Sequence, residues 1–507
     1  MRSKKAIANI MSSLLLQLTT IICGFIVPIL IIKSYGSNVN GVINSITQFL
    51  GYIALLEAGI GGVVRAALYK PLANKDNVTI SRIVKTAEKF FKIIAYILIG
   101  YLIVVAFVFP NIVSGEFDKI YTITLVLIIG MGTFAQYFFG ISYQLLLQAD
   151  QRLYFTSLLQ VFTVVINTVI VVVLINKGAS IHFVKLCSAA VLIARPLVLN
   201  IYVKYRYKII KNVNADRNAL NQKWDGLGHH ISYFVNNNTD IAVLTLFTNM
   251  REVSVYSIYM MVVAGIRNIT TTFSSGIEAA FGNMIANGER NSLYRNFISF
   301  EFLSFFITTV LFTSASLLIL PFISIYTKGI TDVNYIRPLF AYVLVAAGAA
   351  YCIRLPYHSI VIAAGHFKQT RNGAFVEAII NIVFSIVLVN SLGILGVAIG
   401  TLFAMLFRTF QYIFYISKNI LERRILDPIK RILVSVSSVL VSVIIIRLIP
   451  TIAIDNYFYW GIYAIGVTTI IFLVTLFVNL ICYFQDLKNV LQILNRVIKS
   501  KGKNYQS

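Results

Sequence analysis

Long apolar stretches recur along the whole chain, separated by short polar turns. Fourteen can be drawn, at roughly 12–33, 38–66, 90–110, 120–147, 155–176, 181–203, 226–249, 252–285, 296–325, 335–364, 372–391, 393–417, 432–449 and 458–484. A hydrocarbon core of about 30 Å is crossed by about 20 helical residues, so each stretch is long enough to span. Backbone polar groups must be satisfied internally in lipid, which predicts helices, and the runs are too continuous for barrel strands. The expected fold is an all-α polytopic membrane protein.

Composition agrees. Of 507 residues, 58% are hydrophobic and 12% charged, and mean hydropathy is +0.81. A soluble domain is about half apolar and a quarter charged, and a single soluble core stops growing at about 250–300 residues. The first apolar run has no small-residue cleavage site after it, so it reads as a retained span and not a signal peptide. Cys23, Cys187, Cys352 and Cys482 sit singly in apolar runs, without disulfide or metal spacing.

The net charge of +24 is distributed by loop. Placing both termini in the cytoplasm assigns 30 of the 43 Lys and Arg to cytoplasmic segments and 6 to outer loops. This positive-inside pattern accounts for the basic balance without a nucleic-acid partner and places both termini in the cytoplasm. The loop "KYRYKIIKNVNADRNALNQKW" is placed to touch anionic lipid headgroups. In the tail, Leu487, Val490, Leu491, Leu494, Val497 and Ile498 recur at helical spacing, as in an amphipathic helix lying on the inner surface.

An internal repeat underlies the spans. Tyr137 pairs with Tyr351, Tyr143 with Tyr357 and Asn167 with Asn381, all at an offset of 214; Ile181 with Ile394, Val184 with Val397, Arg195 with Arg408 and Tyr202 with Tyr415 follow at 213. Glu57 and Glu278 pair at 221, two helical turns more. The unit is six spans, giving two six-helix lobes related by a pseudo-twofold axis and two extra helices. The predicted division is 1–225, 226–417 and 418–507. Transporters built of such repeats bind substrate between halves that rock.

Charges within spans are costly and mark a cavity or a partner. Arg195, Arg267, Arg354 and Arg408 lie deep, with Arg65 and Lys185 also in spans, so these six are the candidate substrate-binding cations. Each has two open roles, lining a cavity or joining a structural ion pair. Arginine suits phosphate, because its planar fork donates two hydrogen bonds and stays charged. Arg65 and Glu57, eight residues apart and about 80° apart on the helical wheel at 100° per residue, read as members of one network as well as substrate candidates. Glu301, near an inner end, reads as interface exposure. In span 7, Asn236 to Asp240 are five consecutive polar residues, which points to a break, a water-filled cavity or a cation site. Asp240, Glu377, Asn381 and Thr401 form the candidate site for a coupling Na+ or H+, the alternative being an interhelical hydrogen-bond network. His229, His230, His358 and His366 lack ligand spacing, and Pro28, Pro196 and Pro356 fall inside spans. No Walker, GxSxG, HExxH or CxxC motif occurs, so no catalytic residue or cofactor is expected.

The 14-span plan, the repeat, and the stretches "EAGIGGVVRAALYKPLA", "TFAQYFFGISYQLLLQADQ", "HHISYFVNNNTDIAVLTLF" and "AAGHFKQTRNGAFVEAIINI" resemble the Wzx-type polysaccharide transporters, which share a superfamily with the MATE exporters and the lipid II flippase. The resemblance spans essentially the whole chain. It implies a MATE-like fold, alternating access, a cationic central cavity and export of a polyprenyl-pyrophosphate-linked oligosaccharide, with a glycan polymerase and glycosyltransferases as partners. A small-molecule exporter, a membrane glycan polymerase or ligase, and a non-transporting scaffold are the alternatives.

The topology is testable. A cysteine placed between Lys208 and Trp224 should be shielded from an impermeant reagent added outside intact cells, and one placed between Asn111 and Asp118 should react. The reverse pattern would reject the orientation.

Overall fold

The computed structural model describes residues 2–57, 59–113, 115–210, 213, 227–449 and 454–492. Among the described residues it is helical throughout, without strands. The helices are α1 (Arg2–Tyr35), α2 (Ser37–Gly51), α3 (Ile60–Asn74), α4 (Asn77–Ile112), α5 (Lys119–Ala135), α6 (Ile141–Ala149), α7 (Leu153–Asn176), α8 (Ile181–Arg206), α9 (Leu227–Phe247), α10 (Met250–Ala286), α11 (Arg290–Tyr326), α12 (Pro338–Ala363), α13 (Phe367–Leu392), α14 (Ile394–Asn419), α15 (Leu426–Arg447) and α16 (Tyr457–Cys482). Thirteen described segments are long and apolar enough to cross a membrane; α9 is the fourteenth predicted span, with its apolar part confined to Asn238–Phe247. The chain is a multi-pass membrane protein.

Sequence signals set many of the helix ends. Asp76, Asp118, Ser180 and Asn456 cap α4, α5, α8 and α16 by accepting backbone N–H groups of the first turn. The Thr79 hydroxyl and the backbone N–H groups of Thr79 and Val78 hold the exposed Asp76 carboxyl below its ordinary range. Within the spans, hydroxyls donate to carbonyls one turn back, as Thr163 does to Leu159 and Thr168 to Val164, so these polar groups stay satisfied in apolar helices.

Two expectations change. The single helix predicted over 38–66 is broken: α2 tightens into a 3-10 segment at Tyr52–Glu57, and α3 restarts after Gly59, whose φ of 77° favours glycine. Glu57 and Arg65 therefore do not share one helix. Span 7 does not break at its polar run. α9 is continuous because Asn238 donates to the Phe234 carbonyl at 2.7 Å and Thr239 to that of Val235 at 2.6 Å, keeping those amides and hydroxyls inside the helix. The side chains of His229, His230, Asn236 and Asn237, the basic loop 214–226 and tail residues 493–507 lie outside the described residues.

The chain forms two compact units, Met1–Ile258 with Ile330–Val333, and Tyr259–Gly329 with Asn334–Ser507. This grouping follows contacts, whereas the boundaries at 225 and 417 follow the repeat. In the first unit α1 runs along α7, α4 packs on α5, and Val42, Ile46, Leu68, Phe91 and Leu98 are fully buried. In the second, α14 packs on both α12 and α13, where Gly396 and Gly400 admit Leu388 and Ser385.

The repeat recurs in side-chain contacts. Tyr143 faces Glu88 in the first unit, and Tyr357 donates to Glu301 at 2.6 Å in the second. Arg152 donates to the Tyr202 hydroxyl at 3.1 Å, and His366 meets Tyr415 at 2.9 Å. Glu301 is not at an exposed interface. It is fully buried, held by Arg423 at 2.6 Å and Arg431 at 3.2 Å, and Arg431 continues to Asp486 in the tail at 2.6 Å. A buried carboxylate is tolerated when its lone pairs are filled this way.

Gly41 of α2 lies directly against the Met250 carbonyl at the start of α10, where any Cβ would collide with backbone. Gly24 of α1 has open space around its Cα. Gly41→Ala should lower the thermal unfolding midpoint of the purified protein, and Gly24→Ala should leave it unchanged or raise it. Equal midpoints for the two variants would contradict this packing.

Candidate functional site

Each span-borne charge has to meet another group, and α12, α13 and α14 show how the second unit manages this. Arg354 of α12 places Nη1 at 2.5 Å from Glu377 Oε1 on α13, and Arg408 of α14 places Nε at 3.4 Å from the other oxygen. Arg408 also donates to the Thr370 carbonyl at 2.9 Å, Gln411 Oε1 at 2.9 Å and the Tyr412 hydroxyl at 2.7 Å. All three charged residues are buried, Arg408 to 2% exposure. Arg267 stacks on the Tyr351 ring at 3.9 Å, with Arg354 at 4.7 Å from the same ring. One turn after Glu377, Asn381 donates to Thr401 at 3.0 Å.

The first unit is built differently. A cavity of about 270 Å³ is lined by residues of α1, α2, α5, α6, α7 and α8. Its wall includes a π-helical turn at Gln136–Gly140, which joins α5 to α6 and offsets the residues after it by one position. Gly140 there packs against Pro196 of α8 with no room for a side chain. Lys185 and Arg195, both on α8 and about 15 Å apart along its axis at 1.5 Å per residue, line the cavity with Gln136, Gln144 and Asn167. Among the described residues neither Lys185 nor Arg195 has a hydrogen-bonding or ionic partner. Asn167 Oδ1 is buried and likewise lacks a donor.

The remaining candidates stand apart from these two groups. Arg65 donates to Gln148 at 2.8 Å, while Glu57 accepts from Tyr137 at 3.3 Å. Asp240 accepts from the Tyr256 hydroxyl at 2.5 Å within the first unit, beside Asn238, which receives Gln48 at 2.6 Å. The four expected coupling residues are thus divided: Asp240 lies in one unit, and Glu377, Asn381 and Thr401 lie in the other. Gln136 and Gln144 were not among the sequence candidates, since neutral amides in apolar helices carry no signal without the cavity around them.

No protein-family model matches the chain, and no curated protein sequence matches it. Solved structures do. The lipid II flippase MurJ, in its inward closed conformation, is similar with a TM-score of 0.71 and 15% identity, over 94% of this chain and 98% of that one. The fold is shared with flippases and exporters. An inward-facing multidrug resistance MATE transporter of the MOP superfamily matches at TM-score 0.64 and 13% identity, over 78% of this chain and 93% of that one. An outward-facing MATE transporter of the same superfamily matches at 0.55 and 13%, over 81% and 93%. The MurJ match covers nearly the whole of both chains, whereas the MATE matches leave about a fifth of this chain unaligned.

The ion triad predicts a strong coupling. Removing one partner of a buried pair costs about 3–5 kcal/mol, because the other charge stays buried. Glu377→Gln and Arg354→Met should each lower the unfolding free energy markedly, and the double variant should lose less than their sum by at least about 0.5 kcal/mol. Strict additivity in the cycle would mean that the two side chains do not interact.

Proposed function

We propose that this protein is a flippase that moves a polyprenyl-diphosphate-linked oligosaccharide from the inner to the outer leaflet of the bacterial cytoplasmic membrane, for cell-surface polysaccharide synthesis, by alternating access. The observation that carries this reading is the pair of cations, Arg195 and Lys185, which line one cavity within the spans and have no hydrogen-bonding or ionic partner among the described residues. An uncompensated charge in that setting is expensive. A site that keeps two of them suits an anionic guest, and a diphosphate brings the charge the bilayer otherwise excludes. Arg354 and Arg408 are both held by the Glu377 carboxylate, which fixes them among the helices and balances one of their two charges.

The second unit also carries an apolar groove of about 450 Å³ between α11, α12, α14 and α15, lined by Val345, Ala349, Leu402, Leu406, Val436 and Val439 among others. Such a groove has the apolar lining that an isoprenoid chain would need. An exporter of cationic drugs is disfavoured, because Arg195 and Lys185 would repel them. The chain acts without catalysis on this reading, with both termini cytoplasmic and with membrane lipids, glycosyltransferases and a glycan polymerase as partners. Coupling to a Na+ or H+ gradient rests on Asp240, since both oxygens of Glu377 are held by guanidinium groups.

A charge-assisted hydrogen bond contributes roughly 1.5–3 kcal/mol, which is about 10- to 100-fold in affinity at 1.4 kcal/mol per decade. In a flippase-deficient strain, Arg195→Ala and Lys185→Ala should lose about that factor in glycan export at normal expression. Arg195→Lys should fall between, because it keeps the charge and loses the fork. Full export by both alanine variants would remove the basis of the proposal.

A further inference from the structure

The internal repeat supplies its own comparison at the helix ends that the charge pattern places in the cytoplasm. Arg82 and Glu88 of α4 match Arg295 and Glu301 of α11 at an offset of 213, and α8 matches α14 at the same offset, the two helices ending at equivalent residues, Arg206 and Asn419. In the second unit the Tyr357 hydroxyl donates to Glu301. Arg423, from the segment after α14, donates to both Glu301 oxygens, at 2.6 and 2.9 Å, and its guanidinium lies over the Phe297 ring at 5.2 Å.

The first unit keeps the acid and the phenol, since Tyr143 faces Glu88. It does not keep the cation. Ile210 stands at the place of Arg423, and Val84 at that of Phe297. What remains is a pocket of about 160 Å³ lined by Ser81, Lys85, Glu88, Tyr143, Lys204 and Ile210. Ser81 accepts the Ile210 N–H at 3.0 Å, which draws the segment after α8 back over α4 and walls the pocket on one side. No ion pair to Glu88 is present among the described residues. Two lysines have been gained at the rim: Lys85 and Lys204 are exposed, at places where the second unit has Ile298 and Ser417.

A guest has to satisfy both features. The Glu88 carboxylate suits an N–H cation, as Glu301 does, and the lysine rim suits an anion. A simple cation would meet the lysines, and a simple anion would meet Glu88. One small group that carries both charges avoids both penalties. The pocket also stands at headgroup depth, because Glu88 lies two residues before the apolar run of 90–110 and Lys204 directly follows that of 181–203. Further along the same helices, Ile93, Tyr96 and Ile97 of α4 and Leu197 and Ile201 of α8 are exposed, an apolar surface on which acyl chains can lie.

We propose that this pocket binds the headgroup of a phospholipid with a primary ammonium, of the phosphatidylethanolamine kind, from the inner leaflet. The ammonium donates to Glu88 in the place that the Arg423 guanidinium takes in the second unit, and the phosphate lies between Lys85 and Lys204. The volume equals about five waters at roughly 30 Å³ each, which admits phosphoethanolamine and leaves the acyl chains outside. A trimethylated ammonium has no N–H to give Glu88, and a headgroup without an ammonium leaves Glu88 facing a phosphate. The pocket shares no lining residue with the 270 Å³ cavity, and the inference does not depend on what is transported.

The test is native mass spectrometry of the purified full chain, titrated with phosphatidylethanolamine, phosphatidylcholine and phosphatidylglycerol of equal chain length and with soluble phosphoethanolamine. Wild type should hold phosphatidylethanolamine roughly 10-fold more tightly than the other two lipids, and phosphoethanolamine more weakly than its lipid. Glu88→Gln, which loses a charge and no volume, should bind phosphatidylethanolamine and phosphatidylcholine alike. Ile210→Arg installs in the first unit the guanidinium that the second unit owns. It should weaken phosphatidylethanolamine binding roughly 10-fold while the thermal unfolding midpoint stays level or rises, and Ile210→Leu should bind like wild type. The inference is overturned if wild type binds phosphatidylcholine or phosphatidylglycerol as tightly as phosphatidylethanolamine, if Glu88→Gln and Ile210→Arg both keep the wild-type preference, or if Ile210→Leu is as weak as Ile210→Arg. Phosphoethanolamine bound as tightly as the lipid would assign the pocket to a soluble ligand and overturn the lipid source. None of these outcomes bears on the transport reading, which export by the Arg195 and Lys185 variants tests separately.

Discussion

A charge buried among membrane helices has to be compensated, and the organisation of this protein follows from that requirement. Moving an ion from water into a low-dielectric interior costs several kcal/mol even after relaxation, and only close opposite charge and filled hydrogen bonds offset it. The second unit meets the requirement internally twice. Glu377 is shared by Arg354 and Arg408, and Glu301 by Arg423 and Arg431. In the first unit Arg195 and Lys185 have no opposite charge beside them among the described residues. The same six-span plan, used twice, thus yields one core whose deep arginines share a carboxylate and one cavity whose cations have none among the described residues.

Much of this was legible in the sequence because it depends on period and composition. Runs of about 20 apolar residues, capped by Asp76, Asp118, Ser180 and Asn456, became helices at nearly the predicted places. The repeat offset, visible from Tyr143 and Tyr357, reappears as matching tyrosine–glutamate contacts. What could not be read was which polar side chain meets which. Asn236–Asp240 looked like a helix break, yet back-bonding by Asn238 and Thr239 keeps α9 whole. Glu301 looked interfacial, since its two arginines come from segments more than a hundred residues away. The break at Gly59 was hidden because the apolar pattern continues across it.

The candidate site shows the same limit more sharply. Arg195 and Arg408 are equivalent by sequence, and nothing local separates a structural arginine from a binding one. The difference lies in their neighbours on other helices: Thr163 against Glu377, Gly140 against Arg354, Leu199 against Tyr412. Those differences are written in the repeat, but they acquire meaning only once α6, α7 and α8 are known to face one cavity. The likeness to MurJ and to MATE transporters, at 15% identity or less, fixes the fold and leaves the chemistry to these residues.

The central claim is that the first-unit cavity holds Arg195 without a carboxylate partner, whereas Arg408 in the second unit is held by Glu377. The most direct measurement is a crystallographic anomalous difference map of the protein soaked with tungstate, a tetrahedral oxyanion with strong anomalous signal. The account predicts a peak beside Arg195 in the first-unit cavity and none beside Arg408. A peak at Arg408, or a map with no peak at Arg195, would contradict it.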